Sequence, residues 1–415
     1  MHTNTTNQRW IFILLTSLFL FWGLANNMTD TLLAAFKRIM SMGDFQTTFV
    51  QYAFYGAYFC LAIPASILAQ KFSYKTSILM GLGLFIGGAL LFYPASQTQV
   101  YSHFLGALFI LAGGLSILET ATNPFILTLG SRETAVKRLN LAQSFNPIGS
   151  IIGVALSKFL ILSELHAATA EQRETMSKEV LHQLQSDELA AVMTPYVGVA
   201  IVLIIIWLLI FYTPMPEVSD TKDSHSIASG IYQLILHKPY RKAVLTQFFY
   251  VGGQITVWSF TIRYVMEELK IDEAEAANYY LASLGLFLVA RLIFTYLMNF
   301  YEALFLLKWA AVKAIILTGF AIFCSGELGV WALVCVSGCM SLMFPTIYGL
   351  GMAKVETNTK LASAGFVMAI VGGAVMTGLQ GQLSDLLTNI RLSFFVPLVC
   401  FSVVLIYSFT LVEKK

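Results

Sequence analysis

The sequence predicts an all-α membrane protein with twelve transmembrane helices in two pseudo-symmetric six-helix halves. Three observations carry this. Charged residues are 12% and hydrophobic residues 57% of 415 positions, whereas soluble domains carry about 25% charged residues. Apolar windows of about 20 residues, the length a helix needs to cross a bilayer, recur along the whole chain. One long polar segment divides them six and six.

The windows lie near 10–33, 46–70, 76–95, 102–129, 140–162, 194–213, 241–265, 277–299, 304–323, 328–351, 361–384 and 392–412. The first is a span and not a cleaved leader: it has one Arg before it, no small-residue cleavage site, and further spans behind it. Each is expected to be helical, because lipid cannot satisfy backbone groups and the alternation of a barrel strand is absent. Gly is frequent (29 residues), as close helix packing in a membrane requires. Cys60, Cys324, Cys335, Cys339 and Cys400 all fall inside spans. None is placed for an outer-loop disulfide, and Cys335 with Cys339 reads as one helix face and not a metal site.

The polar segment "PMPEVSDTKDSHSIASGIYQLILHKPYRK" opens with Pro, Ser and Asp, as linkers do. The expected organisation is an N-terminal six-helix bundle (1–213), a cytoplasmic linker (214–240) and a C-terminal six-helix bundle (241–415). Loop and tail Lys and Arg number fifteen on the side of the N-terminus and six on the other, which places both termini in the cytoplasm. The outer segment 163–193 is acidic, with Glu164, Glu171, Glu174, Glu179, Asp187 and Glu188. A shift of 222 residues lays Arg138-Leu139 on Lys360-Leu361 and puts Glu119 on Ser341. The scaffold is duplicated and the carboxylate is not.

Four spans carry polar stripes. At 100° per residue, Ser116, Glu119 and Asn123 fall within about 60° of one another, and Gly23, Asn26, Asn27 and Asp30 within about 100°. "LNLAQSFNPIGS" aligns Asn140, Gln143, Asn146 and Ser150, and "QFFYVGGQITVW" aligns Gln247, Tyr250, Gln254 and Trp258. An ionisable group at mid-membrane depth is costly and usually faces a bundle interior or a wet cavity. Glu119 is therefore either a structural carboxylate bonded to a neighbouring helix or a functional one. Asp30, nearer the outer third, either works with it or pairs at the interface with Lys37 or Arg38. Amides donate and accept without charge, which suits a neutral polyhydroxylated solute. Trp258, Tyr250, Phe344 and Tyr348 offer faces for the C–H side of a sugar ring. Arg263, Arg291, Lys158 and Lys313 are scattered and mostly near span ends, where they are expected to snorkel. A carboxylate that burial makes costly to ionise can load a proton on one side and release it on the other.

"FWGLANNMTDTLL", "GGLSILETATNPF", "KRLNLAQSFNPIGS", "TPY" at 194–196, "QFFYVGGQITVWSFTIRYVMEE" and "MFPTIYGLG" together resemble the fucose:proton symporter family of the major facilitator superfamily. The resemblance runs from about residue 10 to 410. It implies the twelve-helix major facilitator fold, a central cavity, and proton-coupled uptake of a neutral sugar through a bacterial inner membrane. It also implies proton-coupling roles for Asp30 and Glu119 and sugar or cavity contacts at Asn27, Gln143 and Asn146. Asn26, Asn123, Gln254, Trp258 and Tyr250 join the candidate lining from their stripes. The superfamily's inner Asp-Arg signature after span two is replaced by "AQKFSYK" at 69–75, and Thr29 stands where the fucose pattern has an Asn.

The expected function is proton-coupled import of a neutral monosaccharide, L-fucose first, with glucose, galactose or N-acetylhexosamine, or sodium in place of the proton, as alternatives. The expected partners are sugar, proton and lipid, with the chain acting as a monomer. No cofactor, metal or nucleic acid is implied. A membrane-embedded enzyme would want paired acids for a metal or a catalytic His cluster, and His2, His103, His166, His182, His225 and His237 are dispersed among tails, loops and span ends. A sugar sensor would want a long added cytoplasmic domain, for which the linker and the tail "LVEKK" leave no room.

Overall fold

The computed structural model describes residues 5–39, 44–161, 172–173, 176–216 and 227–411. Among these residues the regular structure is helical throughout. The first half of the chain holds α1 (Thr5–Ile39), α2 (Asp44–Lys71), α3 (Tyr74–Thr98), α4 (Tyr101–Thr128), α5 (Ala135–Gln143), α6 (Phe145–Leu156) and α7 (Lys178–Tyr212). A short π-helical turn, Ser157–Ile161, follows α6. The second half holds α8 (Ile227–Leu236), α9 (Lys238–Leu269), α10 (Glu273–Leu297), α11 (Ala303–Phe323), α12 (Glu327–Met340), α13 (Met343–Met352), α14 (Thr359–Met368), α15 (Gly372–Leu387), α16 (Ile390–Ser393) and α17 (Phe395–Thr410).

Among the described residues, eleven helical stretches are long and apolar enough to cross a membrane. The twelfth expected span is α9. Its 32 residues reach about 48 Å at 1.5 Å per residue, but its polar stripe and its charged ends lower its hydropathy. Spans five and ten are each broken, at Ser144 and at Ser341–Leu342. Pro147 and Pro345 follow closely, and a proline removes the N–H that would continue the ladder. Span six is longer than its apolar window: α7 begins at Lys178, where Ser177 Oγ accepts from Val180 N at 3.4 Å as N-cap. Similar caps start α3 at Ser73 and α10 at Asp272, which accepts from Glu275 N at 2.8 Å.

The chain forms two compact units: Met1–Thr122 with Phe145–Val218, and Asn123–Ser144 with Ser219–Lys415. In the first, α1 crosses α6 on two glycines. A Cβ on Gly149 would overlap the carbonyl oxygen of Leu20, and one on Gly23 that of Asn146. In the second, α9 crosses α15 the same way, with Gly372 against the Phe248 carbonyl and Gly252 against the Met376 side chain. The duplication is thus visible as one crossing built twice from small residues. Gly149→Ala is expected to lose about 1–3 kcal/mol through overpacking. Thermal unfolding of purified protein checks this against Gly56→Ala, where a Cβ meets nothing within 4 Å, and which is expected to leave the midpoint unchanged.

α3 packs along α7. Trp207 Nε1 donates to Leu79 O at 2.9 Å, and Phe92 and Tyr196 meet at 4.8 Å between ring centroids. Lys75 Nζ donates to Phe211 O and Thr213 O at 2.8 and 2.9 Å, satisfying carbonyls at the end of α7. Asn123–Ser144 belongs to the second unit because its hydrogen bonds run there: Asn140 Nδ2 donates to Thr346 Oγ1 at 3.2 Å, and Lys137 Nζ to Asn299 Oδ1. Within this segment Arg138 caps α4, donating to Ile126 O and Leu127 O at 3.0 and 2.7 Å.

Candidate functional site

Glu119 lies in the buried core of the first unit, 2% exposed, on α4. Around it the helix turns its own hydroxyls to the backbone: Ser116 Oγ donates to Tyr58 O at 3.2 Å and Thr120 Oγ1 to Ser116 O at 2.8 Å. Tyr58, fully buried, lies within electrostatic reach of the carboxylate. A small cavity of about 10 Å³ is lined by Leu18, Phe19, Trp22, Leu115, Leu118, Glu119 and Thr122, room for about one water centre. The carboxylate therefore sits beside an aromatic ring and a space sized for a water or a hydroxyl.

Asn26 and Asn27 are half-buried on α1, and Asn27 Nδ2 donates to Gly23 O at 3.2 Å. Asn146 is half-buried on α6. The side chain of Asp30 lies outside the described residues.

In the second unit, Asn123 and Gln143 meet directly, Gln143 Nε2 donating to Asn123 Oδ1 at 3.0 Å. Both are buried. Trp258 Nε1 donates to Ser337 Oγ at 3.2 Å, and its ring meets Phe287 edge-on at 5.0 Å. Gln254 is half-buried one turn before it. Tyr250 is fully buried, and its hydroxyl donates to Met340 O at 3.0 Å while its ring meets Phe344 at 6.3 Å. Gln247, on the same stripe, is fully buried as well, with neither amide atom hydrogen-bonded among the described residues.

Arg291 corrects the expectation that it snorkels near a span end. It is 3% exposed, and its guanidinium lies 4.5 Å from the Phe287 ring centroid. Nε donates to Ser341 O at 2.6 Å and Nη1 to Gln143 O at 2.8 Å. The candidate residues of this unit thus form one physical series: Trp258 on Phe287, Phe287 on Arg291, Arg291 on Gln143, and Gln143 on Asn123. Sequence reasoning missed the middle of it, though Pro147 and Pro345 signalled that carbonyls four residues earlier would need donors. Arg263, by contrast, is exposed and pairs with Glu267 at 3.2 Å within one helix turn, as a span-end residue should.

The Major Facilitator Superfamily profile matches residues 11–378. The chain belongs to the major facilitator superfamily. This transporter is 39% identical over 412 residues to the L-fucose-proton symporter of Haemophilus influenzae, covering 96% of this chain and 95% of that protein. It is 31% identical over 417 residues to the glucose/galactose transporter of Brucella abortus, covering 98% and 96%. Its structure matches the crystal structure of the Escherichia coli fucose:proton symporter with a TM-score of 0.90 at 37% identity, covering 98% of this chain and 100% of that one. The protein is a multi-pass membrane transporter and not an enzyme.

Proposed function

We propose that this transporter imports L-fucose together with protons through a bacterial inner membrane, as a monomer with both termini in the cytoplasm. The observation that carries the coupling is Glu119, 2% exposed beside Trp22 and a small cavity. Ionisable groups at such depth commonly belong to proton relays in transporters. The L-fucose-proton symporter of Haemophilus influenzae and the fucose:proton symporter of Escherichia coli, to which the chain is similar, supply the sugar.

Proton and sugar need only prefer the same conformations to drive one another. Alternating access then opens the site to one side of the membrane at a time, as in duplicated transporters. Glu119 with Asp30 carries the proton. Asn26, Asn27, Asn123, Gln143 and Asn146 bind hydroxyls. Gln254 and the faces of Trp258 and Tyr250 complete the lining. Import of glucose or galactose is the second reading, favoured by the relative at 31% identity.

The test is external pH in a lightly buffered, de-energised suspension of expressing cells as sugars are added singly. Alkalinisation with L-fucose and not with glucose, galactose or N-acetylglucosamine is expected. Alkalinisation with another sugar alone would reassign the substrate. Labelled uptake with no pH change would remove the proton and bring in sodium.

A further inference from the structure

Arg291 holds a positive charge inside span eight, and no ion pair reaches it among the described residues. Burying a charge there is costly, so what it bonds instead is informative. Its two acceptors are the backbone carbonyls of Ser341 and Gln143. In an uninterrupted α-helix each would accept the N–H four residues on. Those residues are Pro345 and Pro147, which have no N–H to give. The guanidinium therefore fills two vacancies of identical origin in two different broken helices. Its planar fork suits this, whereas an ammonium is a single point of charge.

We propose that Arg291 is a positioning residue of the transport site: by satisfying both proline-freed carbonyls it fixes the breaks in spans five and ten, and so holds the Gln143–Asn123 amide pair in place. The inference rests on the transporter reading above. Gln143 precedes the linker in the chain, yet it lies in the same compact unit as Arg291 and Ser341, so one side chain ties both breaks together within that unit.

The experiment combines hydrogen–deuterium exchange of purified protein without sugar with L-fucose binding and uptake. Arg291→Lys keeps the charge but replaces the planar fork, whose Nε and Nη1 bond the two carbonyls from separate atoms, with a single nitrogen that cannot reproduce that spacing. Backbone amides of 135–146 are expected to exchange roughly tenfold faster or more, as loss of a charge-assisted hydrogen bond implies, and the KM for uptake to rise more than the maximal rate falls. Pro147→Ala returns a backbone donor to Gln143 O. In that background the effect of Arg291→Lys is expected to shrink to roughly threefold or less, a coupling that residues acting on one acceptor show and distant, independent sites do not.

Equal effects in both backgrounds, or exchange in Arg291→Lys within roughly threefold of wild type, would overturn the proposal. If Arg291→Lys fails to fold, recovery by Pro147→Ala with Pro345→Ala supports it and no recovery overturns it. The exchange measurement needs no sugar. A wild-type chain that neither binds nor moves L-fucose would sink the substrate assignment and leave this inference standing.

Discussion

Glu119→Gln is expected to abolish uphill accumulation of sugar while leaving sugar-for-sugar exchange across the membrane intact. The amide keeps the size of the carboxyl group and most of its hydrogen bonding, so the site beside Trp22 retains its shape. What it loses is a proton that can leave. One proton moving down a 100 mV potential supplies about 2.3 kcal/mol, enough for roughly 50-fold accumulation of a neutral solute, since 1.36 kcal/mol is a factor of ten. The variant is expected to bring the steady-state inside-to-outside ratio of labelled sugar to about one, with counterflow near the wild-type rate. Retained accumulation would end the role given to Glu119. Loss of exchange as well would make it a binding residue and not a coupling one.

Arg173→Ala is expected to destabilise the protein by about 3–5 kcal/mol, the usual result of stranding one partner of a buried ion pair. Arg173 donates twice to Glu188, Nη1 to Oε2 at 2.8 Å and Nη2 to Oε1 at 2.6 Å, and the two side chains are 1% and 2% exposed. The variant leaves the Glu188 carboxylate buried without that partner. Replacing both partners by apolar residues of similar volume, Arg173→Met with Glu188→Leu, is expected to recover part of the loss, because the charge stranded by the single variant is removed with its partner. Denaturant midpoints of the single and double variants decide it. Additive losses would mean that the pair does not act as a unit.

That pair also marks how far the sequence could be read. Arg173 and Glu188 stand in it as loop charges of an acidic outer segment. The structure instead carries α7 back to Lys178 and makes the two an internal staple. The spans themselves were legible because hydropathy is a local property and a bilayer imposes one length on every crossing. The stripes on α4 and α9 were legible for a similar reason, since 3.6 residues per turn fixes which side chains share a face.

What periodicity cannot give is the partner across the gap. Tyr250 read as a lining aromatic, and its hydroxyl is bonded to Met340 O. Arg291 read as an interfacial cation because its distance along the span was visible and its acceptors were not. Those acceptors are carbonyls, which every residue has, so no side-chain pattern announces them. Only the prolines four positions later distinguish Gln143 and Ser341 from their neighbours, and they do not say which side chain will answer.

The polar stripe that makes α9 useful in the finished protein has a consequence for its synthesis. A segment carrying Gln247, Gln254, Arg263 and Glu267 partitions poorly from the translocon into lipid by itself, since each polar side chain near the middle of a helix opposes insertion. Lys238, Arg241 and Lys242 at its start oppose translocation of that end, but retention at one end does not drive the other across. The segment gains its neighbours in stages: α10 first, then α12, where Trp258 and Tyr250 find Ser337 and Met340, and α15 and α17 only after the ribosome has made another hundred residues and more. Biogenesis is therefore expected to be out of order at this point. A nascent chain stopped just after Leu269 should leave a glycosylation acceptor placed there largely unmodified, and one continued through α17 should see it glycosylated.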